Sequence, residues 1–263
     1  MSIKSETKKD IKLIINLAKN DFKTRFAGSY LGIIWAMIQP VVTIAVYWFV
    51  FQVGMRSGDM ISYPFIIWLV AGLVPWFYFS EALSGGTNAM IEYSYLVKKV
   101  VFKIDILPLV KIISALFVNS FFILVAVVIC WAYGYTPSLY TLQLLYYLVC
   151  MILLVVGLVY LTSAVVVFFR DLSQIIVIVL QVGIWATPIM WVAELYLNPT
   201  LHSILMLNPM YYIVDGYRDS LLGIEWFWEK PLWTIYTWGF IIVMLLIGTR
   251  VFKKLKIHFA DVL

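Results

Sequence analysis

Two patterns meet within the first fifty-odd residues. Over residues 11–26, Ile11, Ile14, Ile15, Ala18, Phe22 and Phe26 recur at helical spacing on one side, and Lys12, Asn16, Lys19, Asn20 and Lys23 fall on the other. This predicts an amphipathic helix along a membrane surface, its apolar stripe at the headgroup boundary and its lysines against anionic lipid. Gly28 and Gly32 allow a sharp turn. Residues 31–54 then carry no ionisable side chain, enough at about 1.5 Å per residue to cross a hydrocarbon core of about 30 Å.

Five more apolar runs follow. The second predicted span covers residues 65–83, with a kink at Pro75. Residues 84–111 contain Glu92, Lys98, Lys99, Lys103, Asp105 and Lys111, and predict a water-exposed, partly helical loop. From 112 to 169 there is no Asp, Glu, Lys, Arg or His, which makes two spans, 109–133 and 142–168, around a Gly/Pro turn at 134–138. The fifth span is 175–192, with Pro188 near its end, and the sixth is 232–248. Between them, residues 201–207 and 211–222 are too short to cross and are separated by Asn208-Pro209, so they read as short re-entrant or interfacial helices.

The expected fold is an all-α polytopic membrane protein of one domain, residues 1–263. It comprises an interface helix (1–29), a six-span bundle (30–250) and a tail (251–263). Composition agrees: 63% of residues are hydrophobic and 13% charged, which excludes a soluble globule. Charge sets the orientation. Sixteen of the nineteen Lys and Arg fall in segments that six spans place on one side, leaving Arg56, Arg218 and Lys230 on the other. By the positive-inside rule both termini are cytoplasmic. Cys130 and Cys150 lie in apolar runs and read as buried small hydrophobes; His202 and His258 read as ordinary surface residues.

The chain has no visible energy source of its own. Ion-coupled transport needs ionisable groups near the bilayer midplane, and only Glu81, toward the inner end of the second span, comes close. No Gly-Lys dipeptide exists, so there is no phosphate-cradling loop, and no His or Cys cluster marks a metal site. Uphill transport by this chain requires a partner that supplies energy.

Particular residues carry a resemblance. Tyr30-Leu31-Gly32-Ile33-Ile34-Trp35, Gln39-Pro40 and Tyr47-Trp48-Phe49-Val50-Phe51 are followed in order by Lys98-Lys99-Val100-Val101-Phe102, Ile106-Leu107-Pro108-Leu109, Phe168-Phe169-Arg170-Asp171, Thr187-Pro188, Leu207-Asn208-Pro209 and Gly216-Tyr217-Arg218. Together they resemble type 2 ABC transporter permeases that export bacterial surface polysaccharides. Residues 47–51, 54–58 and 208–222 look most like the wall teichoic acid permease, with O-antigen and capsule permeases close behind. Where many relatives have proline after the loop phenylalanine, this chain has Lys103.

The resemblance implies a homodimeric channel in the bacterial plasma membrane. Its other partners would be membrane lipids, a lipid-linked glycopolymer and two cytoplasmic ATPase subunits that bind ATP and Mg2+, with no cofactor in this chain and no nucleic acid. It also places a coupling helix in residues 84–111, with Glu92, Tyr93, Tyr95 and Lys98 facing the ATPase. Arg170 and Asp171 are either a structural ion pair or a second ATPase contact.

A glycan sliding through lipid calls for aromatic platforms and neutral hydrogen-bonding groups. Helical stripes of that kind are Trp35 and Gln39 with Leu31, Val42 and Val46; Trp68 and Phe79 with Gly72 and Pro75; and Gln181 and Trp185 with Pro188 and Val192. Tyr47, Trp48 and Tyr133 read instead as interfacial belt residues. A different class stays open: a lipid-modifying membrane enzyme or scaffold using Glu194, His202, Asp215, Asp219, Glu225 and Glu229 on the outer face.

Overall fold

The computed structural model describes residues 3–25, 27–56, 63–98, 103–193 and 197–263, and side chains from residue 10 onward. Met1, the Glu6 side chain, Phe26, Gly58, Lys99, Val100, Val101, Phe102 and Glu194 lie outside the described residues. The described residues contain helices and no strands.

Helix α1 (Ile3–Arg25) precedes α2 (Trp35–Trp48), which closes with a π turn at Phe49–Gly54. Then come α3 (Phe65–Glu92), α4 (Ser94–Val97), α5 (Leu107–Ala132), α6 (Gln143–Val166) and α7 (Leu172–Ala186). Two short helices, α8 (Pro199–Met206) and α9 (Pro209–Leu222), lead to α10 (Pro231–Leu255) and α11 (Phe259–Val262). Among the described residues, five segments are long and apolar enough to cross a membrane: Gly32–Gly54, Phe65–Glu92, Ile104–Ala132, Leu139–Val166 and Pro231–Val262. The shorter apolar helix α7 stands where the fifth span was expected. The protein is polytopic and all-helical.

The structure corrects several boundaries. Residues 84–92 are not part of a water-exposed loop: α3 runs unbroken through Pro75 to Glu92, with Thr87, Ala89 and Met90 fully buried. The charges that read as solvent-facing are largely paired within the chain. Lys111 bonds Asp21 and Glu92, Lys103 bonds Asp10, and Lys256 bonds Asp105. The expected tail is likewise helical and docked. Phe252 and Phe259 pack with Met90, Val97, Leu107, Ala164 and Val167 in a small second core at the basic end of the bundle.

Helix α1 does not rest only on a membrane surface. Ala18 and Asp21 are buried, Phe22 meets Phe117 at 5.7 Å, and the helix packs along α5, leaving Ile11, Leu13 and Ile15 exposed.

Helix α7 stops at Ala186, short of the expected 192. Thr187 precedes Pro188 and takes an extended ψ of 118°, the conformation a following proline favours. Two carbonyls beyond it, those of Pro188 and Ile189, accept from Arg218 Nη2 at 2.8 and 3.0 Å. Arg218, expected on the outer side in a short interfacial or re-entrant helix, is buried, its guanidinium 3.6 Å above the Trp68 ring. Asn208-Pro209 starts α9 as well as ending α8: the Asn208 side chain accepts from Met210 N, and proline fits the first helical position.

Helices in lipid gain little from expelling water between them, so close approach has to hold the bundle. The α6–α10 pair shows this most directly, because a Cβ built on Gly157 would lie 2.8 Å from Leu245 N and 2.9 Å from Met244 C. Buried hydroxyls add a polar tie, Thr87 Oγ1 to Thr162 Oγ1 at 2.7 Å between α3 and α6.

Candidate functional site

A cavity of about 720 Å³ lies where α2, α3 and α7 face one another. Helix α2 presents Trp35, Gln39, Pro40, Thr43 and Tyr47 at successive turns. From α7 come Val177, Leu180, Gln181, Ile184 and Trp185, and from α3 come Trp76, Phe77, Ser80, Glu81 and Ser84. Val118 of α5 and Arg25 of α1 complete the lining.

Four of the six residues expected on a translocation path, Trp35, Gln39, Gln181 and Trp185, thus share one cavity. All four are exposed, with Trp35 at 46% and Trp185 at 53%. Trp68 and Phe79 are not in this lining. Trp68 lies under Arg218, and Phe79 packs behind the wall against Trp76 at 5.6 Å. Tyr47, expected in the interfacial belt, lines the cavity, and so do Thr43, Ser80 and Ser84, which pattern reading missed. A signal was present in Ser80 and Ser84, one helical turn apart on the face that carries Trp76, but charge density had placed Ser84 in a loop.

At the base of the cavity the polar chemistry changes from amide and hydroxyl to ionic. Arg25 Nη1 donates to Glu81 Oε1. Beside it, Asp21 accepts from Lys111 Nζ at 2.7 Å and from the Tyr93 hydroxyl at 2.6 Å. Burial pushes the Asp21 carboxyl up, but the Lys111 and Tyr93 hydrogen bonds outweigh it and hold the group below the ordinary carboxylate range. Two residues expected to face a partner, Glu92 and Tyr93, are therefore engaged within the chain, although Glu92 stays half exposed. Tyr95 and Lys98 are exposed. So are Arg170 and Asp171, and among the described residues no salt bridge joins those two; their carbonyls accept from Ser173, Gln174 and Ile175 and open α7.

The acidic groups of the opposite end converge on one cation. Lys230 Nζ bonds Asp215 at 2.7 Å and Asp219 at 2.6 Å, with Glu225 at 3.4 Å. Glu229 accepts from Trp226 N, and His202 shares a hydrogen bond with the Tyr211 hydroxyl. Burial first, and the Asp215 carboxylate second, push Asp219 up to about 7 against the lowering effect of Lys230. The folded state thus holds a proton that the unfolded chain releases near pH 4, so stability falls as pH rises toward 7 and levels off above it. Asp219→Asn should abolish this slope, at most about 1.4 kcal/mol per pH unit, in thermal unfolding of the detergent-solubilised protein. A parent and variant with parallel pH profiles would refute the assignment.

Among the described residues no group of three or more His, Cys, Asp or Glu is placed to hold a metal ion. Cys130 and Cys150 are buried thiols, as expected from their apolar context.

Comparison with known proteins places this geometry in a family. The profile of the ABC-2 type transporter family matches residues 12–222. The O-antigen export system permease protein RfbA of Myxococcus xanthus is 26% identical over 250 residues, covering 95% of this chain and 94% of the relative. RfbA of Klebsiella pneumoniae is 26% identical over 253 residues, covering 95% of each chain, and a second RfbA from that organism is 24% identical over the same length. Since the family match takes in every wall of the cavity and both short helices, this multi-pass membrane protein belongs to the ABC-2 type transporter family.

Proposed function

We propose that the chain is the permease subunit of an ATP-driven exporter that moves a lipid-linked glycopolymer from the cytoplasm to the outer face of a bacterial plasma membrane. It works as a homodimer above two ATP-binding cassette subunits, which bind ATP and Mg2+, with both termini cytoplasmic. The observation that carries this reading is the cavity, where Trp35 and Trp185 offer ring faces and Gln39 and Gln181 offer amides along the same opening. Sugar rings match such a wall through their C–H faces and hydroxyl edges. Weak, repeated contacts let a chain slide.

The relatives named as O-antigen export permeases support a polysaccharide as cargo. The resemblance of residues 47–51, 54–58 and 208–222 to the wall teichoic acid permease makes a polyol-phosphate polymer the second candidate. Exposed Tyr95, Lys98, Arg170 and Asp171 at the basic end are the residues left available to an ATPase partner.

Trp35→Ala with Trp185→Ala is expected to lower polymer export about tenfold. Two aromatic platforms at about 0.5–1.5 kcal/mol each add up to a barrier change of that size. Dimer assembly and ATPase binding, followed by co-purification, should be unchanged. Normal export by the double variant would place the path elsewhere.

A further inference from the structure

A second hollow, of about 460 Å³, adjoins the cavity at its base and is lined by Asp21, Thr24, Gly85, Glu92, Tyr93 and Lys111. Arg25, Glu81 and Ser84 line both spaces. The hollow at the basic end and the aromatic cavity are thus two compartments in line, and the Arg25–Glu81 ion pair is drawn across their junction.

The surroundings let that pair open without dismantling the bundle. Other polar anchors of α1 run to α5, its approach and the end of α3: Asp21 to Lys111 and Tyr93, and Asp10 to Lys103. Arg25 reaches across to the middle of α3 from the last turn of α1. Beyond it, Gly28 and Gly32 have φ of +88° and +54°, and a Cβ on either would meet nothing within 4 Å. Such a joint takes backbone conformations that glycine adopts freely and other residues only at a cost.

Charge also limits what passes. Asp21, Glu81 and Glu92 outnumber Arg25 and Lys111 around the hollow by one, which favours a neutral polysaccharide over the polyol-phosphate candidate. A neutral hydroxyl-rich chain can lie there, and its hydroxyls can take over the hydrogen bonds that Arg25 and Glu81 give up on parting.

We infer that Arg25 and Glu81 form a gate between hollow and cavity, shut by their ion pair when the path is empty and opened when the end of α1 moves away from α3. The inference rests on the export reading above. In its shut state the gate prevents an empty path from leaking small solutes.

The test uses the full chain with its ATPase partner in liposomes loaded with sucrose, without ATP. Arg25→Gln is expected to raise sucrose efflux about tenfold over the parent, and Arg25→Glu with Glu81→Arg should be as tight as the parent. In a chain carrying Cys130→Ala and Cys150→Ala, Arg25→Cys with Glu81→Cys should leak, seal with a short bis-methanethiosulfonate linker and leak again after dithiothreitol. Arg25→Gln as tight as the parent, or a leak that the linker does not close, overturns the gate. Because efflux is read without polymer, a tight parent that exports no glycan, beside a leaky Arg25→Gln, supports the gate while refuting the export reading. Should Arg25→Gln not assemble, the linker experiment decides alone.

Discussion

Lys111→Met should destabilise the protein by about 3–5 kcal/mol, because it leaves the Asp21 carboxylate buried opposite an apolar side chain. Asp21 is 6% exposed and Lys111 7%, and loss of the ammonium leaves the carboxylate with the Arg25 guanidinium at the longer distance of 3.4 Å. The deficit should depend on pH. In the parent, Asp21 has a folded pKa below its unfolded value of about 3.8, so the pair contributes fully above that value and fades as pH falls through the folded one. In the variant, burial acts unopposed by Lys111, and stability should fall as pH rises above about 4. The gap between the two proteins is therefore widest near neutrality and narrows toward pH 4. Thermal unfolding across that range measures it, and Asp21→Asn with Lys111→Met should recover most of the loss. Additive losses in the double variant would show that the pair is not the coupling.

The other large effect is steric. Gly157→Leu has to drive α6 from α10, since what its side chain would meet is the backbone at Met244 and Leu245, and the reverse contact, a Cβ on Gly248 against the Gly157 carbonyl, is closer still. Overpacking of a flexible side chain costs about 1–3 kcal/mol; against backbone the cost should reach or exceed the top of that range. Gly157→Ala should fall within it. Gly239 lies on the same α10 but has nothing within 4 Å of its would-be Cβ, so Gly239→Ala should be neutral or stabilising by up to about 1 kcal/mol. Monodisperse yield and unfolding temperature of the three variants give the ranking, and equal behaviour of Gly157→Ala and Gly239→Ala would contradict it.

What pattern reading could reach follows from where charges are spent. The first span was legible to within a residue, because a run without ionisable groups between residues 31 and 54 has one reading at membrane scale. The inner ends were not. Lys103, Asp105 and Lys111 read as a loop when counted, yet each is matched by a partner distant in sequence, which no local window contains. The burial of Arg218 was hidden for a similar reason: the carbonyls it serves are freed thirty residues earlier, where Pro188 ends a helix inside an apolar run. Of the candidate site, the cavity lining on α2 and α7 was legible through Gln39 and Gln181, whose amides are costly to present to lipid, with Trp35 and Trp185 one turn away on the same faces. Trp68 shows the limit, since the same spacing also describes a ring that packs under a guanidinium.

The small core at the basic end has a consequence for the order in which the chain is made. Met90, Val97 and Leu107 leave the ribosome early, whereas Phe259, which closes over them, is about 150 residues behind. At about 5–20 residues per second this leaves their apolar surface open for roughly 10–30 seconds of every synthesis. Insertion machinery has to shelter that seam meanwhile. A ribosome that stalls short of Phe252 leaves the seam exposed for good, and so marks the unfinished chain for membrane proteases.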